Sequence, residues 1–260
     1  MTGHLFEIAG VRVELRFHAS PPAVLHRYEP FACPEGGPAQ AVLDLVPGEL
    51  RGLDGFTGHV LVREGALRVQ GAEHLGRLDL ATGQGFAIAD RTLVVADSFV
   101  RALVARHAAA RGGVLLHAAA VRVDGRVHLA PGPSGAGKST FAACAGEALT
   151  DELAVVVPDA AGSWMVHGTP WWEARGGSAA LEAVYALAWG GESVEPLPAA
   201  GLLRHLVTST VLPVDGPAER ARAFAACCAI ARSVPFRRVA FKPATRVDAL
   251  LRGEAGRSAA

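Results

Sequence analysis

The reading turns on LAPGPSGAGKSTFAA, residues 129–143. A short apolar run enters a glycine-rich loop that ends in Lys138-Ser139-Thr140, and small residues compatible with a helix follow. Gly132-Pro133-Ser134-Gly135-Ala136-Gly137-Lys138-Ser139 satisfies the pattern GxxxxGK[ST] in full. In such a loop the glycines let successive backbone N–H groups turn inward onto phosphate oxygens. The helix that follows points the positive end of its dipole at the same place. On this reading residues 132–140 bind nucleotide, with Lys138 reaching the β- and γ-phosphates and the Ser139 hydroxyl on magnesium. The expected cofactors are ATP and Mg2+.

The residues on either side of the loop extend this reading. GVLLHAAAVRVDGRVHLAPG, residues 113–132, reads as two strands about a tight Asp124-Gly125 turn, the second leading into the loop. His117 sits in the first of these strands, as either a core histidine or a neighbour of the phosphates. After the loop helix, EALTDE ends in Asp151-Glu152. An acidic pair at a strand edge beside a phosphate loop can bind magnesium or accept a proton from an attacking hydroxyl; the alternative is a solvated turn.

Periodicity organises the rest. Residues 4–18 alternate about Ala9-Gly10, residues 59–71 about Glu64-Gly65, and residues 76–90 form a third candidate hairpin. QAVLDLVPG, residues 40–48, reads as a strand. Residues 97–113 switch to helical period, with Asp97 or Ser98 as cap and Gly112-Gly113 as stop. Further on, 148–168 reads as strand–turn–strand, 179–189 as a strand, 198–210 and 217–233 as helices, and 234–243 as a closing strand. Strands outnumber crossover helices and several join by hairpins, which argues against a plain doubly wound sheet. The expected fold class is α/β of the α+β kind. A small β-rich N-terminal domain (1–95) and a linking helix (96–112) precede a P-loop kinase domain with a mixed sheet (113–250) and a flexible tail (251–260).

Composition restricts the partners. Half of the 260 residues are hydrophobic, and 25 basic residues balance 25 acidic ones. A neutral chain has no general electrostatic attraction to nucleic acid or a membrane surface. No apolar run reaches the roughly 18 residues of a membrane span. The N-terminus lacks the apolar core of a secretory signal. Cys33, Cys144, Cys227 and Cys228 show no metal or disulfide spacing, which fits a reducing cytoplasm. Homo-oligomerisation stays open.

The combination of GGVLLHAAAV, the hairpin, GPSGAGKST and LTDELAVV resembles the HPr kinase/phosphorylase superfamily, in particular its smaller HPr-kinase-related branch. Some members of that branch accompany peptide-modification gene clusters. The superfamily is itself similar to ATP-dependent phosphoenolpyruvate carboxykinase around the loop. The resemblance covers roughly residues 112–245. It implies that Lys138 and Ser139 bind nucleotide and magnesium, that Asp151 is the general base, and that His117 is a catalytic-site residue. Glu152 would be a second acid at the metal. Glu173, in Glu173-Ala174-Arg175-Gly176, fits the family's metal-linked E-x-R-G segment. The chain departs from the family in a shorter interval from Lys138 to Asp151 and in having Glu152 where an aspartate is common. Arg175, Arg204, Arg237 and Arg238 are all candidates for its late arginine.

The expected activity is an ATP- and magnesium-dependent kinase acting on a hydroxyl, a serine of a peptide or protein, with the β-rich unit docking the acceptor. Two alternatives are a small-molecule kinase and a nucleotide-binding regulatory module without transfer. His167 and Trp171-Trp172 are candidate site walls or core, and Arg237-Arg238 with Lys242 a candidate phosphate contact or a solvated strand face.

Overall fold

The computed structural model describes residues 1–33, 37–49, 57–71, 74–89, 92–171, 175–212 and 216–253. The chain divides into two compact units. One comprises Met1–His107 with Leu212–Glu219, the other Ala108–Val211 with Arg220–Ala260.

In the first unit the strands are β1 (Thr2–Ile8), β2 (Val11–Phe17), β3 (Ala41–Pro47), β4 (Thr57–Arg63), β5 (Ala66–Gly71), β6 (His74–Asp79) and β7 (Gln84–Ala89). They form a mixed sheet in the order β1-β2-β3-β7-β6-β5-β4, with β3 parallel to both β2 and β7. Strict alternation sets the faces: Val11, Val13, Leu15 and Phe17 of β2 are buried and the residues between them are not. The hairpin turns at Ala9-Gly10 and Glu64-Gly65 carry positive φ at both positions, 51° and 85° in the first and 52° and 72° in the second. Those are the mirror-image turns that match the twist of paired strands.

A 3-10 helix, Ala23–Phe31, and the helix α1 (Thr92–Ala110) complete this unit. α1 begins at Thr92, earlier than the expected span of 96–112. Asp97 and Ser98 therefore lie inside the helix rather than capping it. The Asp97 carboxylate accepts a hydrogen bond from the buried Tyr28 hydroxyl, and Ser98 Oγ donates to the Val94 carbonyl at 3.2 Å. Asp97 holds the 3-10 helix to α1, a long-range role that local sequence does not reveal. Gly76 leaves room for the buried Phe99 ring, since a Cβ there would stand 2.6 Å from it.

The second unit is built on a second mixed sheet. Its strands are β8 (Val114–Val123), β9 (Arg126–Pro131), β10 (Ala148–Thr150), β11 (Leu153–Pro158), β12 (Trp164–His167), β13 (Ser178–Trp189), β14 (Ser193–Pro196) and β15 (Phe236–Phe241). The helices are α2 (Lys138–Ala145), α3 (Ala199–Ser209), α4 (Pro217–Ser233) and α5 (Val247–Leu251), with the first residues of α4 assigned to the other unit. β8 is shared along its length: Val114–His117 pair with β11, and Ala118–Val123 pair with β9. β9 also runs parallel to β13, which runs parallel to β15. Three parallel strands thus end on one side, at Pro131, Trp189 and Phe241.

One face of this sheet receives α2 and α5. Phe141, Ala142 and Ala145 pack against Ala119, Val121, Ala130, Tyr185 and Phe241. Alanines on both strand and helix let the short α2 lie close to the sheet, so its N-terminus sits at the C-terminal ends of the parallel strands. Phe236, out of phase with Phe241 on β15, faces α3, where it meets the His205 ring at 5.6 Å. All four cysteines are free. No helix among the described residues is long and apolar enough to cross a membrane.

Candidate functional site

The glycine-rich loop leaves β9 after Pro131 and becomes α2 at Lys138. Gly132 N–H donates to the His117 carbonyl at 3.1 Å, which ties the start of the loop to the middle of β8. One residue on, Ala118 N–H donates to the Glu152 carbonyl at 2.9 Å. The single peptide group between His117 and Ala118 therefore holds the loop through its carbonyl and the acidic pair through its N–H. This convergence follows from β8 changing partners between His117 and Ala118.

Gly135 and Gly137 adopt positive φ, 79° and 97°. Gly137 is the residue before α2, and a Cβ on it would stand 3.0 Å from Trp189 Cζ2. Glycine is needed here for conformation and for space. The first N–H groups of α2 have no helical partners and no side-chain cap, so they are free to meet an anion.

Lys138 is buried, 6% exposed, and its Nζ donates to the carbonyls of Gly132 at 3.0 Å and Pro133 at 2.8 Å. Burial lowers its pKa, and the charges of Asp151 and Glu152 oppose that shift. Asp151 is also buried, and its Oδ1 has no hydrogen-bond partner among the described residues. A buried carboxylate oxygen without a donor is costly to maintain unless something else satisfies it. Burial also lowers the pKa of His117; the Lys138 charge adds to this and Glu152 opposes it. Each of these groups feels another's charge across the same small space.

That space is a cleft of about 620 Å³ lined by His117, Ser134, Gly135, Gly137, Lys138, Ser139, Thr140, Asp151, Glu152 and Trp189. It falls within the range of about 300–1,000 Å³ usual for small-ligand sites. Gly132 and Pro133 hold the loop from behind through the Lys138 bonds, and Ala136 N–H donates to the Pro133 carbonyl at 3.3 Å. Among the described residues no group of three His, Cys, Asp or Glu side chains converges as a preformed metal cage. The oxygen donors of Ser139, Asp151 and Glu152 instead suit a hard cation that takes its other ligands from phosphate and water.

The other candidates are spread through the fold. Glu173 and Trp172 lie outside the described residues. Trp171 is fully buried and belongs to the core. His167 lies on β12, and its pKa is lowered by burial and by Arg111. Arg237 stands opposite Tyr185 in the pairing of β15 with β13, Arg238 pairs with Glu195 at 3.8 Å, and Arg204 is exposed on α3. Arg175 N–H donates to the Leu149 carbonyl at 3.4 Å, beside β10. Among the described residues no arginine lines the cleft. Lys242 follows β15, and its N–H donates to Thr245 Oγ1.

Sequence reasoning missed Trp189. Its signal was modest: an aromatic residue ending a strand, followed by Gly190-Gly191. Only the parallel pairing of β13 with β9 shows that this strand ends at the loop.

Residues 87–226 match the model of a family described as SynChlorMet cassette protein ScmC. The match covers more than half of the chain and takes in His117, the loop, the acidic pair and Trp189. A comparison with curated proteins gives no match.

Proposed function

The chain belongs to the ScmC family, and we propose that it is a P-loop phosphotransferase, moving the γ-phosphate of ATP to a hydroxyl. The family description speaks of a cassette and of no reaction, so the reaction is read from the site. One observation carries it: a buried lysine and a buried aspartate line one cleft at the N-terminus of a helix that follows a complete GxxxxGK[ST] loop.

In the mechanism we propose, the backbone N–H groups of the loop and of α2 take the β- and γ-phosphates. Lys138 exchanges its two loop carbonyls for phosphate oxygens. Ser139 and Glu152 fit as oxygen ligands for Mg2+, which when bound neutralises charge developing between the β- and γ-phosphates. The acceptor oxygen bonds to the γ-phosphorus as the bond to the bridging oxygen of ADP breaks. The Asp151 carboxylate receives the proton of the acceptor hydroxyl. His117, held neutral by burial and by Lys138, stands beside the reacting group without adding a charge. Catalysis of this kind consists of positioning and charge stabilisation.

We assign the acceptor as a serine hydroxyl of a peptide or protein. The N-terminal unit favours this over a free small molecule, because its sheet ends in β4, where Leu61 is 53% exposed and Val62 43%. An open, apolar strand edge can receive an extended chain. The test is incubation with ATP, Mg2+ and peptides encoded beside the gene, alongside free amino acids and sugars, followed by mass spectrometry. Phosphate on a peptide serine is the expected result. Labelling of free small hydroxyl compounds alone would refute the acceptor, and failure to bind ATP would refute the reaction.

A further inference from the structure

Trp189 has no part in the phosphate chemistry, yet it is built into the cleft wall. Its backbone is fixed by pairing with Phe241 across β13 and β15, and Gly190 N–H donates to the Phe241 carbonyl at 3.1 Å. Its ring stacks on Phe241, with centroids 5.2 Å apart and planes 30° apart, and Phe241 meets Phe141 of α2 edge-on at 5.8 Å. The same indole abuts Gly137, where α2 begins. With these supports on one side, the residue still leaves 56% of its surface exposed at the cleft. A rigid aromatic surface held open beside a polar loop is a stacking platform.

Strand order gives the direction. β8 and β13 flank β9 on opposite sides. The acidic pair belongs to the β8 flank, through β10 and β11. Trp189 belongs to the β13 flank, three strand spacings or about 14 Å from β10 and β11 along the sheet. A triphosphate seated on the loop must direct its γ-phosphate toward Asp151 and Glu152, where a proton can be taken. Its other end then emerges toward Trp189.

Building on the phosphate-binding reading above, we propose that the exposed face of Trp189 carries the base of the nucleotide. Stacking on a single aromatic face reads area rather than the edge pattern of the base, since every base has a π-face. ATP and GTP should therefore bind with similar affinity, and both more tightly than inorganic tripolyphosphate.

The experiment is calorimetric titration of the full chain with ATP, GTP and tripolyphosphate, each with Mg2+, in the parent protein, Trp189→Ala and Trp189→Phe. Removing a base stack weakens binding by about tenfold or more. The expected result is that loss for ATP and GTP in Trp189→Ala, unchanged tripolyphosphate affinity, and recovery of most of the loss in Trp189→Phe. Equal losses for nucleotide and tripolyphosphate would overturn the proposal, because Trp189 would then act through Gly137 and the loop. It is likewise overturned if the parent binds tripolyphosphate as tightly as ATP, an outcome that leaves the phosphate site standing. If the parent binds neither, the phosphate-binding reading falls and the base platform falls with it.

Discussion

Gly132 and His117 are joined by one backbone hydrogen bond of 3.1 Å, and this bond sets the height of the loop over the sheet. The N–H of the same peptide group, at Ala118, donates to the Glu152 carbonyl. The strand therefore fixes the relative position of the glycine-rich loop and the acidic pair without using a side chain. Substitutions of the His117, Lys138, Asp151 and Glu152 side chains should therefore separate function from stability.

Lys138→Ala should weaken ATP binding by about 10- to 100-fold, the worth of one charge-assisted contact. The fold should survive, since Lys138 bonds only to its own loop. Calorimetry with and without Mg2+ checks this, and unchanged affinity would remove the loop from the mechanism.

Asp151→Asn should bind ATP nearly as the parent does and lose roughly 10²–10⁴-fold in turnover. Glu152→Gln should cost less. Because Asp151 Oδ1 has no partner among the described residues, the asparagine variant should melt at or above the parent temperature. A marked fall in melting temperature would show that Asp151 is structural. Greater sensitivity at Glu152 would reverse the two roles.

His117→Ala should lower turnover while the folded state persists in a urea titration. Lys138 is one of the causes that lower the pKa of His117, so Lys138→Met should raise it. An NMR titration of the His117 ring reads the direction, and no upward movement would mean the two side chains do not share the site.

Gly137→Ala introduces a side chain at φ 97° and presses on the Trp189 ring. Strain of about 1–3 kcal/mol is expected from the backbone alone. Thermal stability and triphosphate affinity should fall together. A variant with parental affinity would show that the loop does not need this geometry.

His128 is buried against the Tyr185 hydroxyl at 3.0 Å, and burial lowers its pKa to about 4. Between that value and the usual 6.5 the unfolded chain binds a proton that the folded chain refuses. Stability should therefore rise with pH through this window and be lost as pH falls from 6.5 toward 4, by roughly 3 kcal/mol. Urea titrations of the parent and His128→Gln at pH 7 and pH 4.5 measure it. The same pH dependence in both would refute the assignment.

Local sequence suffices for the individual elements. Alternation and two-residue turns marked the hairpins at Ala9-Gly10, Glu64-Gly65 and Asp124-Gly125, and all three carry the left-handed backbone those residues favour. The loop, the start of α2 at Lys138 and the strand ending at Trp189 were legible for the same reason, since each depends on neighbours in the chain. Tertiary structure alone decided the pairings. Local sequence could not show that β8 changes partners at His117, that Asp97 bonds Tyr28 within α1 instead of capping it, or that β13 runs parallel to β9. Those arrangements come from burial and hydrogen bonds between residues tens of positions apart. They make Trp189 a neighbour of Gly137 and leave Asp151 Oδ1 buried without a partner among the described residues.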